Sequence, residues 1–236
     1  MTTCVISQPR FFPGLHYLHR MMTTDIFVIL DTVQYTPRHE ENRTRLKSPQ
    51  GSQWLTIPMH RSSRKQPIME TYVNYSEPWQ RKAIKTIANL YSKAPYYDSY
   101  ASEVNMILEQ PYKTLTELDR ATWEPARRLL GIDCRFELAS ELAVSGQGPQ
   151  LLLNICQHLG ADTYLSGAFG QDYIDAEEFA AVGVKVKYFE YNYPTYSQRF
   201  DGFVPYLSYL DMLFNVGLDY DRVLAGGSLQ ATQTAS

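Results

Sequence analysis

Two arginines set two residues apart, Arg43 and Arg45, carry the strongest chemical signal in this chain. In an extended segment they point to one side, and their planar guanidinium forks suit a carboxylate or a diphosphate. Asp31 ends the apolar run Ile26-Phe27-Val28-Ile29-Leu30, where it can orient such an arginine or take a proton. His39 is the second proton acceptor of the same loop, and Gln34 and Asn42 add neutral hydrogen-bonding groups. Upstream, Gln8 opens the stiff loop Gln8-Pro9-Arg10-Phe11-Phe12-Pro13-Gly14. Both prolines there lack a backbone donor and push the preceding residue away from helix. The helix that follows aims its free N–H groups back at the loop, a place for an anion or a carboxylate.

That helix brings Tyr17 and two histidines, His16 and His19, which are three apart and share a face. Nucleotidyl-transferring α/β enzymes often hold phosphate oxygens with two histidines on the first helix, which makes His16 a catalytic candidate. Leu18 stands here in place of the usual glycine before the second histidine. Further along, Ser166 and Gly167 follow the apolar triplet Thr163-Tyr164-Leu165, with Tyr173 close behind. Glycine at a strand end lets backbone N–H groups approach a ligand, or else makes an ordinary left-handed turn. The segment lacks both the Gly-Lys-Ser/Thr of a Walker loop and the GxGxxG fingerprint. Tyr191, in Glu190-Tyr191-Asn192-Tyr193-Pro194-Thr195-Tyr196, either offers a hydroxyl to a hydroxylated ligand or packs with its hydroxyl at the surface.

The elements that must position these groups alternate between strand and helix. Cys4 to Ser7 reads as a strand, Leu15 to Met22 as a helix and Ile26 to Leu30 as a strand; after Gly131 the same alternation returns. Parallel neighbours need crossover connections, so the expected fold is α/β, a mainly parallel sheet with flanking helices. Amphipathic periods over Trp79–Lys93, from Tyr96 through the face Val104, Ile107 and Leu108, and over Thr114–Leu130 predict a helical insertion, a cover over about 77–131. Met69 to Tyr75 alternates loosely and reads as one more strand, and residues 61–66 form a polar basic loop. One domain is expected over 1–224, followed by a small polar tail, 225–236, without fixed structure. Sites in such sheets form at the carboxyl ends of the strands. The expectation is therefore that Gln8, Asp31, Arg43 and Gly167 face one hollow.

With 236 residues, 44% hydrophobic, the chain can bury a real core, and a net charge of −3 argues against coating nucleic acid. No apolar run approaches the roughly 20 residues of a membrane helix, and the first residues lack a signal-peptide pattern, so a cytoplasmic protein is expected. Cys4, Cys134 and Cys156 show no metal-ligand spacing and read as buried, inert thiols. No metal site and no particular cofactor is indicated. The partner is expected to be a small-molecule substrate, with no nucleic acid and no membrane, and the oligomeric state stays open.

Taken together, Gln8-Pro9, Phe12-Pro13, Tyr17, Asp25-x-Phe27-Val28, Asp31-x-Val33-Gln34-Tyr35 and Asn42-Arg43-x-Arg45 resemble the opening of the WbqC-like protein family. The resemblance continues through Gly160 to Gly167 with Tyr173, through Tyr191-x-x-Pro194-x-Tyr196-x-Gln198, and through Leu207-Ser208-x-x-Asp211 to Gly217. It departs at His16, where glycine is usual, and at Pro37, Glu40 and Thr44, where lysine, an aromatic and asparagine are common. The resemblance implies a role in O-antigen, other polysaccharide or natural-product assembly, as a transferase moving glycine or another amino-acyl group onto a sugar. Two rivals stand beside that expectation: a nucleotidyltransferase-like enzyme, and a non-catalytic protein that binds a small ligand.

Overall fold

The computed structural model describes residues 1–60, 63 and 65–230. Six strands form one sheet: β1 (Thr3–Ser7), β2 (Ile26–Ile29), β5 (Arg135–Leu138), β6 (Thr163–Gly167), β7 (Lys185–Tyr191) and β8 (Gly227–Gln230), in the order β5-β2-β1-β6-β7-β8. All neighbours are parallel except the edge strand β8, which runs antiparallel to β7. A separate antiparallel hairpin joins β3 (Arg43–Ser48) to β4 (Gly51–Thr56).

Alternate strand residues face two different cores, as the two-residue period of a pleat requires. Val5, Phe27, Ile29, Leu165 and Phe189 enter one, against α1 (Leu15–Met22), α4 (Leu115–Leu130) and α7 (Tyr209–Val216). Cys4, Ile6, Val28, Tyr164 and Val186 enter the other, against α5 (Gly148–His158) and α6 (Ala176–Ala181). The predicted cover therefore divides. α4, started by a Thr114–Glu117 capping box and ended at the left-handed Gly131, lays Trp123 against Phe27 and Phe136 of the sheet. α2 (Trp79–Tyr91) packs on α3 (Tyr97–Glu109) and on β3, a layer farther out.

Two sequence expectations change. Met69 to Tyr75 is a short 3-10 turn, Ile68–Glu70, followed by isolated bridges, because the segment divides its backbone bonds between two loops, Val73 N–H donating to Lys113 O and Asn74 N–H to Pro58 O. The stretch expected to be an unstructured tail instead begins with the end of α8 (Tyr220–Ala225) and then β8, whose pairing with β7 satisfies its backbone. Residues 231–236, and Arg61, Ser62 and Arg64 of the basic loop, lie outside the described residues.

Asp119 on α4 is fully buried and neither carboxylate oxygen has a partner. Burial, reinforced by the nearby Glu41 carboxylate, pushes its pKa well above the ordinary value of 3.8. The folded chain thus keeps Asp119 protonated at pH values where the unfolded chain has released the proton. Stability tied to this group is present below pH 3.8 and is lost as pH rises toward the folded value. Asp119→Asn should flatten that decline by up to about 1.4 kcal/mol per pH unit, read from urea unfolding at a series of pH values; an unchanged slope would remove the assignment.

Candidate functional site

The chain leaves β1 toward β2 on one side and enters β6 and β7 on the other, so the β1/β6 boundary is the point where strand order reverses. Crevices open at the carboxyl ends of strands at such points. Here the crevice is a cleft of about 350 Å³. Its walls come from the end of β1 (Ser7, Gln8, Arg10), from Arg20 on α1, from Leu30 and Val33 after β2, from the first turn of α5, and from Ser166, Gly167 and Tyr173 around the end of β6. Gln8, Ser166, Gly167 and Tyr173 are thus brought together as expected from the sequence.

The Gln8 loop is fixed by partners far away in the chain. Tyr17 Oη donates to Gln8 O (2.9 Å), Trp123 Nε1 to Arg10 O (2.7 Å) and Thr44 Oγ1 to Phe12 O (2.8 Å). Phe12 N–H donates to Thr122 Oγ1 at 3.0 Å, and Phe11 N–H to Glu40 O at 3.1 Å. These bonds hold Phe12 at φ 40, a left-handed conformation that costs a non-glycine residue about 1–3 kcal/mol. Tyr17, expected to touch substrate, is instead fully buried and serves as a strut for the loop.

Gly167 does not make the left-handed turn that the sequence left open. Its backbone is extended at φ −66 and ψ 161. Gly170, next along, is required by the protein itself, since a Cβ there would lie 2.0 Å from Ser166 Oγ. Ser166 is buried beneath the cleft and its hydroxyl donates to Gly167 O at 3.2 Å.

The three residues expected to be catalytic do not line this cleft. Asp31 is buried and both its oxygens are taken, by Ser140 N–H at 3.0 Å and Ser140 Oγ–H at 2.7 Å. His39 is exposed and faces Glu41 at 3.3 Å. His16 has both ring nitrogens occupied. Arg10 can only donate, so His16 Nε2 accepts from it at 2.9 Å, and Nδ1–H is left to donate to Tyr193 Oη. Burial first, then Arg10 and Arg20, pull His16 well below the ordinary histidine value, so it stays a neutral strut rather than a base.

The two helix histidines do not converge on an anion either. His19 donates Nε2–H to Leu224 O at 3.1 Å and stacks on Phe189. The anion place expected before α1 is filled by the Arg10–Glu40 ion pair and His16, which leave a gap of only about 10 Å³. Arg43 and Arg45 border that small gap and not the cleft. The Arg43 guanidinium lies 3.9 Å from the centre of the Trp54 ring, and Arg45 donates to Ser52 Oγ at 2.8 Å. Asn42 pins the hairpin through Ile57 O at 2.8 Å, Gln34 is exposed, and Tyr191 donates to Val223 O at 3.1 Å. The expected meeting of Gln8, Asp31, Arg43 and Gly167 is thus half right: only Gln8 and Gly167 share a hollow.

Reading the sequence passed over Arg10, Arg20 and Ser7. The signal for Arg20 was present, since a charged residue occupies a helical position flanked by Tyr17, Leu18 and Met21, all of them buried. The thiols are free and buried, as expected. Contact with Cys156 and then burial raise Cys4, and burial pushes Cys134 up to about 12. Among the described residues no helix is long and apolar enough to cross a membrane, and no three His, Cys, Asp or Glu side chains group as a metal site.

Comparison with known proteins adds a lineage. The chain is 32% identical over 222 residues to the uncharacterized protein Rv1507c of Mycobacterium tuberculosis (strain ATCC 25618 / H37Rv), covering 93% of this chain and 96% of that one. No solved structure gives a significant match. The family model for WbqC-like proteins matches residues 8–222, a span that begins at the cleft residue Gln8 and runs past β7, and on that ground the chain belongs to the WbqC-like protein family.

Proposed function

We propose that this protein is a transferase that joins an acyl or amino-acyl group to an amine, an amino sugar or a comparable small molecule, in polysaccharide or natural-product assembly. The cleft between β1 and β6 is where the reacting molecules lie. The observation that carries this reading is Gly167. Its extended backbone needs no glycine, and a Cβ built on it would meet no atom within 4 Å. Neither turn geometry nor packing calls for the missing side chain, so a ligand lying against the bare backbone accounts for it. The reaction class is the one that the resemblance to WbqC-like proteins suggests.

In the transfer, the amine nitrogen attacks the acyl carbon, and the leaving group departs with its bonding electrons and takes up the proton that the amine gives up. The buried thiols cannot carry the acyl group. Ser7 accepts from Arg20, Ser166 donates to Gly167 O, and neither hydrogen-bonds to a histidine or carboxylate that would activate it. Transfer is therefore direct between two bound molecules, and the protein contributes position. The Gln8 amide and the backbone around Gly167 are among the cleft's neutral polar groups and orient the acyl carbonyl.

The test is a panel of phosphate-linked and thioester acyl or aminoacyl donors against amine acceptors, with amide product detected by mass spectrometry. Gln8→Ala should lower kcat/KM by about 10- to 100-fold while leaving thermal unfolding unchanged. Absence of amide across the panel, or a fully active Gln8→Ala, would overturn the reading.

A further inference from the structure

Arg20 is only 8% exposed, yet no carboxylate among the described residues pairs with it. Its Nη2 donates to Ser7 Oγ at 3.2 Å and its buried Nε has no partner at all. The other guanidinium of the cleft, Arg10, is already paired with Glu40. Both guanidinium carbons lie close to the Tyr17 ring, at 5.5 and 5.4 Å from its centre. Two cations thus lie beside one ring, and only Arg10 has a carboxylate partner. Burial, and then Arg10, bring the Arg20 pKa down to about 10, so it is still charged at neutral pH. A guanidinium stripped of water with a donor to spare calls for an anion.

A second feature faces the same space. Helix α5 is 11 residues long, its N-cap Gln147 makes no side-chain cap bond, and Gly148 and Leu151 of its first turn line the cleft. Its positive end and unfilled N–H groups therefore open where Arg20 does.

Building on the reading of this cleft as a ligand site, we propose that Arg20, with Ser7, Arg10 and the first turn of α5, binds an oxyanion there, the phosphoryl group of the donor. Phosphoryl fits better than carboxylate because the donors come from three separate elements. A tetrahedral group turns oxygens in several directions, while a planar carboxylate offers two oxygens in one plane. The anion also supplies the negative charge that the fold leaves out.

The test is calorimetric titration of the full chain with inorganic phosphate, with acetate at matched ionic strength as the second arm. Phosphate should bind and raise the unfolding temperature, and Arg20→Met should weaken it by roughly tenfold or more, the scale of one charge-assisted hydrogen bond. Should Arg20→Met fail to fold, Ser7→Ala, which keeps the buried charge, should weaken phosphate in the same direction. No phosphate binding by the wild type, or equal binding by the folded variant, overturns the site. Acetate binding as tightly as phosphate overturns the phosphoryl assignment. Amide formation that persists without phosphate binding would sink this inference alone, whereas phosphate binding without amide formation would sink only the reaction.

Discussion

Trp123→Ala is expected to cost about 3–5 kcal/mol of folding stability, the range for removing a fully buried large aromatic. Its ring lies within 5.6–6.3 Å, centre to centre, of Tyr17, Phe27 and Phe136, so truncation opens a void between α1, α4 and the sheet. Its indole N–H also holds Arg10 O at 2.7 Å, and losing that bond frees one end of the loop that places Gln8 in the cleft. Denaturant unfolding gives the stability, and titration of a cleft ligand gives the second effect. Trp123→Phe separates the two, since it keeps most of the packing and deletes only the hydrogen bond. A loss below about 1 kcal/mol in Trp123→Ala would show that α4 does not clamp the loop.

Gly167→Ala should behave in the opposite way. The backbone there is compatible with alanine and the new methyl meets no protein atom, so the unfolded chain loses freedom while the folded one suffers no strain. Stability should stay the same or rise by about 0.4–1 kcal/mol. The methyl would nevertheless stand where a ligand meets the backbone, and a displacement of about 1 Å in a reacting group can cost on the order of 100-fold in rate. Amide formation measured beside a thermal melt tests both halves. A stable variant with full turnover would remove Gly167 from the site; a destabilised one would show a packing role that its surroundings do not reveal. Gly170→Ala is the contrast: its Cβ would collide with Ser166 Oγ, so it should lose stability and function together.

The parts of the site legible in the sequence were those announced by backbone chemistry. Gln8-Pro9 and Phe12-Pro13 cannot continue a strand or a helix, and Gly167 ends an apolar strand, so a loop and a close approach were expected there. Gln8 and Arg10 of that loop, and Gly167, line the cleft. Long polar side chains were less legible. Arg43 and Arg45 have the spacing of an anion clamp, but a neighbouring strand brings Trp54 beneath one and Ser52 beside the other. Asp31 ends a strand as a site carboxylate would, but a turn from 109 residues away supplies Ser140 to both its oxygens.

What the sequence determined by itself was the class of fold and where the chain must turn. Apolar runs of strand length separated by amphipathic helices favour parallel pairing, and prolines and glycines mark the loops at the strand ends; these are local properties, overridden only where a distant segment pairs with the backbone, as at Met69 to Tyr75 and at β8. What only the tertiary structure decided was which charges remain unpaired. Arg10 finds Glu40 and Arg20 finds only a serine, and the difference depends on loops that meet across the sheet. A side chain's chemistry is set by the partners that burial leaves it, and those partners come from parts of the chain whose proximity only the packed fold establishes.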